Sequence, residues 1–329
     1  MGKKFSYSKL NTYDGCAFKY KLTYVDGNYV FTDSLASELG TCLHHVEETI
    51  ARTIKSGAEV DYGKMRDEFL NVNIPKKDKF DTEGGIYGIN ILKERYKDDF
   101  YRTDDAGRSY YTKTQDYLDY GIHRLEEYLK AHPTYKVFDM EKFFAIDYKG
   151  HTLSGFIDRI FYDASADRYI IEDIKTKGKP FKDEELVTPL QFVIYTLALS
   201  EALGVPEDSI ECCYDLPFLD LRQPAGSPGY MARGRRKLDA IFGGIEGEEY
   251  QPKQTPLCHW CPYCHTNDDA PEDAKDLCPY YSKWTRENRT HAVQNKWEGL
   301  AAHEAVMERF RSQLGAEKPK TAPEYDFDF

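Results

Sequence analysis

A run of about 18 apolar residues, the length that crosses a bilayer, is missing from this chain, which excludes a simple helical membrane span. An apolar stretch behind the first lysines is missing too. The chain opens MGKKFSYSKL, which does not read as a secretory leader. The same opening fits the loose myristoylation pattern, but the aromatic and apolar residues that follow read as structure. No G-x-x-x-x-G-K-[ST] occurs, so no P-loop motor is encoded. Positive charge is in short supply: 44 Lys+Arg stand against 56 Asp+Glu, a net of −12. Such a chain is no blanket binder of polyanions, and contacts with one must come from local basic patches or metal ions. Two patches exist. Lys3, Lys4, Lys9, Lys19 and Lys21 face Asp14 alone within residues 1–25, and Arg233, Arg235, Arg236 and Lys237 sit together further on. A solvated surface is the default reading of both.

The 329 residues are 41% hydrophobic and 14% aromatic, enough for a buried core and for two domains or one core with a large insertion. Eight cysteines are present, four of them within residues 258–278. With no leader, the expected compartment is the reducing cytoplasm. That argues against a disulfide framework and for a metal or iron–sulfur site.

Residues 5–25 read as a short helix capped by Ser6 or Ser8, with Leu10, Tyr13, Phe18 and Leu22 as its stripe. Residues 34–53 read as a second helix, carrying His44 and His45. The stretch 55–135 is polar, rich in tyrosine and mostly helical in pattern. From 136 the period changes: KVFDMEKFFAIDY, TLSGFIDRIFY and RYIIEDIKT predict an antiparallel meander of three strands, turned at Lys149-Gly150 and at 163–167. A helix over 188–203 follows, with Thr188 as cap, Pro189 in its first turn and Gly204 as stop. Then come a strand at 210–218, a Gly/Pro-rich loop with the second basic patch, and the cysteine segment. An amphipathic helix is expected over 290–314 and a flexible acidic tail over 315–329. This order predicts an α/β core built on one mixed sheet.

The charged residues inside the apolar strands carry the chemistry. Strand side chains alternate, so Asp173 and Lys175 share a face, and a hairpin can bring Asp158 beside Asp173. Two carboxylates this close repel unless a cation sits between them. Hard oxygen ligands suit Mg²⁺ or Mn²⁺, and a neighbouring lysine can polarise a water for attack on a phosphodiester. The plainer reading is a salt-bridged cross-strand triad on a solvated face. His44 could add an imidazole ligand, which favours Mn²⁺ over Mg²⁺. Gln191 and Tyr195, four apart, share a helix face.

SYSKLNTYDGCAFKYKL, GTCLHH, GFIDRI, IEDIKTK, QFVIY and the C-terminal cysteines occur here in that order. The series resembles the RecB-like branch of the PD-(D/E)XK nucleases, a branch that includes CRISPR-adaptation exonucleases and AddB-type recombination nucleases. It covers residues 5–53 and 136–284. The resemblance implies a restriction-endonuclease-like α/β core, a mixed central sheet flanked by helices. Core pieces at 1–53 and 136–250 would be interrupted by a helical insertion at 54–135 and followed by a cysteine-clamped segment at 251–289. It implies that His44, Asp158, Asp173 and the carbonyl of Ile174 bind the divalent metal. Lys175 would orient the attacking water, Gln191 and Tyr195 would complete the signature, and Glu141 on the first strand would assist from beside the ligands. Glu172 should face away. The implied activity is metal-assisted hydrolysis of DNA, as an exonuclease on ends or single strands in recombination, repair or CRISPR adaptation. A separate helicase or a recombination or CRISPR-adaptation partner would act beside it. The rival is a non-catalytic DNA-end binding subunit of such a complex.

Relatives with an iron–sulfur cluster take one cysteine from the N-terminal helix and three from the C-terminal segment. That implies a 4Fe–4S cluster on Cys16, Cys258, Cys261 and Cys278. The insert HTNDDAPEDAKDL lengthens the last gap, so Cys264 is the alternate ligand. A structural Zn²⁺ on Cys258, Cys261, Cys264 or His265, and Cys278 competes, but it leaves Cys16 without a part. Cys42, Cys212 and Cys213 read as core residues.

Overall fold

The computed structural model describes residues 4–30, 34–75, 85–104, 106–253, 255–264, 267, 270–275 and 277–278. The expected helix at 290–314 and tail at 315–329 lie outside these residues. In chain order the elements are β1 (Lys4–Phe5), α1 (Tyr7–Gly15), α2 (Ala17–Tyr20), α3 (Leu35–Lys55), α4 (Tyr62–Asn71), β2 (Asn73–Pro75) and β3 (Gly85–Tyr87). There follow α5 (Ile89–Tyr101), α6 (Tyr110–Asp119), α7 (Arg124–Ala131), β4 (Tyr135–Tyr148), β5 (His151–Asp163) and β6 (Arg168–Ile174). The series ends with α8 (Asp183–Val187), α9 (Leu190–Leu203), β7 (Ile210–Leu216), β8 (Leu221–Ala225) and α10 (Tyr230–Glu246).

The chain forms two compact units, Met1–Tyr7 with Asp33–Lys237, and Ser8–Thr32 with Leu238–Phe329. The first holds a six-stranded mixed sheet in which β5 is the spine. Along one edge β5 pairs antiparallel with β4, and along the other it meets β1 in parallel at Thr152 and Leu153, then β6 antiparallel from Arg159 to Asp163. β7 runs parallel to β6, and β8 closes the far side antiparallel to β7. The three-strand meander expected from the alternating pattern is present. Lys149 and Gly150 both take positive φ, 54° and 87°, which suits a two-residue hairpin whose twist matches the strands.

Ser34 caps α3 by accepting from the amide of Ser37 at 3.2 Å. Its inner stripe, Leu39, Leu43, Val46 and Ile50, is wholly buried with Phe69, Tyr117 and Phe161. Each such side chain contributes about 1.5–3 kcal/mol by leaving water. α9 is buried on every side from Leu190 to Leu199. By length and composition the stretch Asp183–Leu203 would suit a bilayer, but it comprises two helices, α8 with no buried residue and the buried α9.

Four expectations need correction. The helix over 5–25 is a short strand, two helices and a π-turn at Lys21–Val25, because the chain breaks into extended geometry at Cys16 (φ −161°). The segment 55–135 includes the small hairpin β2–β3 among its helices. Thr188 does not cap α9; the helix begins at Leu190, and the Thr188 hydroxyl accepts from Arg233 Nε at 2.8 Å. The second basic patch lies on α10, not in a loop. Gly204 does stop α9, in the left-handed region at φ 67°.

In the second unit, Phe18 and Leu22 pack with Tyr263, Ala274 and Leu277. The Tyr263 hydroxyl lies 2.9 Å from that of Thr23.

Candidate active site

The site forms where β5 changes partner. β1 leaves its edge after Leu153 and β6 joins at Arg159, so Asp158 stands at the opening of the β5–β6 ladder. Its Oδ2 accepts from the Ile174 amide at 2.8 Å, which ties the end of β6 to β5 through a side chain. Asp173 is fully buried, at 0% exposure. Gln191 Nε2 donates to its Oδ1 at 2.8 Å, and the Lys175 ammonium lies 2.5 Å from its Oδ2. Gln191 Nε2 also reaches the Tyr195 hydroxyl at 2.8 Å. Tyr195 is steadied edge-on by Phe144, whose ring sits close over Gly155, where a Cβ would approach it to 3.2 Å. That close approach gives the glycine of G-F-I-D its part.

His44 comes from α3. Its Nε2 lies 3.0 Å from the Ile174 carbonyl, donating when it carries the proton, and its Nδ1 lies 3.8 Å from Asp158 Oδ2 and 4.0 Å from Glu141 Oε1. Ligand atoms of His44, Glu141 and Asp158 all fall within 4.8 Å of one another, so this group could hold a metal ion. Glu141 therefore stands among the candidate ligands and not merely beside them. Its backbone is left-handed at φ 45°, inside a strand, between the pairs Met140–Arg159 and Lys142–Ile157. A non-glycine residue held there costs about 1–3 kcal/mol, and such strain concentrates at functional sites.

The electrostatics fit a cation. Burial, with the nearby Asp158 charge, pushes the Asp173 carboxyl up to about 7, against the opposing pull of Lys175. Burial likewise raises Asp158, although His44 and Lys175 oppose it. Burial would lower His44, but the nearby carboxylates of Glu141, Asp158 and Asp173 prevail and raise it to about 9. Three carboxylates thus face one ammonium and one imidazole. A divalent ion would relieve that imbalance, and the oxygen-rich donor set with a single imidazole suits Mg²⁺ or Mn²⁺.

The strand pattern alone did not reveal the reverse face. Arg159 follows Asp158 and Glu172 precedes Asp173, so both project to the other side of the hairpin. Arg159, 1% exposed, donates to Glu172 at 2.6 Å, Glu47 at 3.0 Å and Asp215 at 2.9 Å. The signal was in the sequence: two adjacent charged pairs, Asp-Arg and Glu-Asp, in otherwise apolar strands must place charge on both faces.

In the second unit, Cys16, Cys258, Cys261, Cys264 and Cys278 all line one cavity of about 210 Å³. Cys16 Sγ accepts from the amides of Lys19 and Lys253, each at 3.4 Å, and Cys258 Sγ from Thr255 at 3.5 Å. None of the eight cysteines forms a disulfide. His265 lies outside the described residues. Cys42 and Cys212 are buried and Cys213 is partly so. The basic patches are in part consumed internally. Arg233 holds Thr188 and the Pro228 carbonyl at 2.8 Å, Arg235 pairs with Glu207, and Lys21 pairs with Asp26 at 2.7 Å.

Among solved structures, the chain is similar to a protein from Eubacterium rectale provisionally named an exonuclease. The identity is 13%, over 79% of this chain and 87% of that one, with a TM-score of 0.40. It is also similar to SSO0001, at 18% identity over 52% of this chain and 75% of that one, with a TM-score of 0.23. No curated protein matches. The family assignment rests on the sequence: the model of the PD-(D/E)XK nuclease superfamily matches residues 4–266, most of the chain, and that span contains His44, Asp158, Asp173 and Lys175. The chain belongs to the PD-(D/E)XK nuclease superfamily.

Proposed function

We propose that this nuclease is a divalent-metal-dependent deoxyribonuclease, an exonuclease acting on DNA ends or single strands. The observation that carries the reading is the convergence of His44, Glu141 and Asp158 within 4.8 Å, beside the Asp173–Lys175 pair. PD-(D/E)XK nucleases use divalent metals. Here His44, Glu141 and Asp158 would hold the ion, with Asp173 and the Ile174 carbonyl completing the set. When bound, the ion would supply Lewis-acid stabilisation of charge on the scissile phosphate and a more acidic water. The protein's own part is positional. Gln191 fixes one oxygen of Asp173, Lys175 stands over the other, and the Lys175 ammonium orients the attacking water and offsets phosphate charge. DNA is the substrate the family implies, and a helicase or recombination or CRISPR-adaptation partner is the proposed context.

The decisive assay compares 5′- and 3′-labelled single- and double-stranded DNA with a covalently closed circle, in Mg²⁺ or Mn²⁺. Wild type should degrade the linear substrates and spare the circle, and Asp173→Ala should lose cleavage by orders of magnitude. Equal cleavage by both proteins would sink the site assignment.

For the second unit we propose a 4Fe–4S cluster on Cys16, Cys258, Cys261 and Cys278, with Cys264 as the alternate ligand. Five thiols around one cavity, with backbone amides donating to Cys16 and Cys258, support it, since hydrogen bonds to sulfur are part of how such clusters are held and tuned. The zinc reading leaves Cys16 unexplained on that same cavity. Anaerobically purified protein should carry an iron–sulfur chromophore that Cys16→Ala loses; a colourless protein containing stoichiometric zinc would favour the other metal.

A further inference from the structure

The ligands of the proposed metal site arrive from separate elements: His44 from α3, Glu141 from β4, Asp158 from β5 and Asp173 from β6. A metal site tolerates only about 0.5 Å of misplacement, so something must hold these elements in register. On the reverse face, one guanidinium touches the chain next to three of these ligands. Arg159 follows Asp158. Its partner Glu47 lies three residues past His44, nearly one turn along α3. Its partner Glu172 precedes Asp173. Its partner Asp215 faces Ile174 in the β6–β7 ladder, and the Asp215 carbonyl accepts from the Lys175 amide at 2.8 Å.

The remaining carboxylate oxygens are also taken. Tyr117 donates to Glu47 Oε1 at 2.7 Å, Arg222 Nε to Glu172 Oε1 at 2.7 Å and Arg124 Nη1 to Asp215 Oδ1 at 2.8 Å. Each of the six oxygens thus has a donor, and Arg124 Nε also donates to the exposed Asp220 at 2.6 Å. Networks of this kind add little stability over an apolar core of the same volume. What a guanidinium does supply is a planar, rigid fork that fixes the direction of each carboxylate.

We infer that Arg159 is a positioning residue of the nuclease site: its guanidinium fixes the relative placement of His44, Asp158 and Asp173, so metal affinity and turnover depend on it although it touches neither metal nor DNA. The inference rests on the metal-site reading above.

Mn²⁺ binding to the full chain, followed by calorimetric titration and by electron paramagnetic resonance with its nitrogen couplings, tests it. Arg159→Lys keeps the charge but loses the fork. It should retain the circular dichroism of wild type, bind Mn²⁺ roughly ten- to a hundredfold more weakly, and lose kcat with little change in KM for DNA. Glu47→Gln disturbs only the α3 arm, so the nitrogen coupling from His44 should weaken more than the overall affinity. Wild-type Mn²⁺ affinity in both folded variants would overturn the inference. Should Arg159→Lys fail to fold, wild-type affinity and nitrogen coupling in Glu47→Gln overturn it alone. A wild-type protein that takes up no Mn²⁺ sinks the metal-site reading and this inference with it, whereas binding by wild type that Asp173→Ala abolishes and the two Arg159-network variants leave unchanged sinks this inference only.

Discussion

The two faces of the β5–β6 hairpin both bury charge, and they do so in opposite ways. Behind the sheet, Arg159, Arg124 and Arg222 share Glu47, Glu172 and Asp215, Arg124 also reaching Asp220, and every oxygen of the three buried carboxylates has a donor. In front, Glu141, Asp158 and Asp173 face Lys175 and His44. The charged neighbours of Asp215 hold its carboxyl below the usual range in spite of burial, whereas Asp173 is pushed up to about 7. In the rear network every carboxylate oxygen has a donor, although Arg222 Nη2 is buried without a hydrogen-bond partner. The front set is complete only with a cation, and this difference separates scaffold from site more sharply than burial does.

Breaking the rear face should produce the largest loss of stability. Arg159→Ala strands three buried carboxylates, and urea unfolding should register about 3–5 kcal/mol. Removing a charge from the front should do the reverse in metal-free protein. Asp173 is protonated in both folded and unfolded chains below pH 4. Between there and about pH 7 the unfolded chain ionises while the folded site resists, so stability falls as pH rises. Asp173→Asn should therefore raise Tm in chelator at pH 8, and the gain should vanish by pH 4. Mg²⁺ should stabilise wild type at pH 8 and leave Asp173→Asn nearly unmoved. A Tm difference independent of pH would contradict the assigned strain. Tyr195→Phe should be the mildest change. Gln191 keeps its bond to Asp173 and loses only the one to the tyrosine, so less than about 1.5 kcal/mol and a few-fold drop in turnover are expected in stability and cleavage assays.

Much of this was legible in the residue order. Asp158, Asp173 and Lys175 lie in apolar strands of period two, and the turns at Lys149-Gly150 and 163–167 force those strands to be neighbours, so local rules alone bring the acids together. His44 could be read as a possible imidazole ligand, but its meeting with the strands was legible only through resemblance, since no local rule links a helix at 44 to strands over a hundred residues away. Two features escaped because they depend on backbone detail. At Cys16 the chain turns extended, and its sulfur accepts from the amides of both Lys19 and the distant Lys253. The left-handed turn at Glu141, which aims its carboxylate towards His44, has no glycine to announce it.

By itself the sequence determined the three-strand meander and the shared face of Asp158 and Asp173, because side-chain alternation is a property of the backbone and needs no partner. Only the tertiary structure decided which charges are neutralised. That outcome depends on long-range encounters, Glu47 and Asp215 with Arg159 on one side and Glu141 and His44 with Asp158 on the other. In a low-dielectric interior, a few ångströms of separation decide whether a carboxylate is paired within the protein or left to attract an ion.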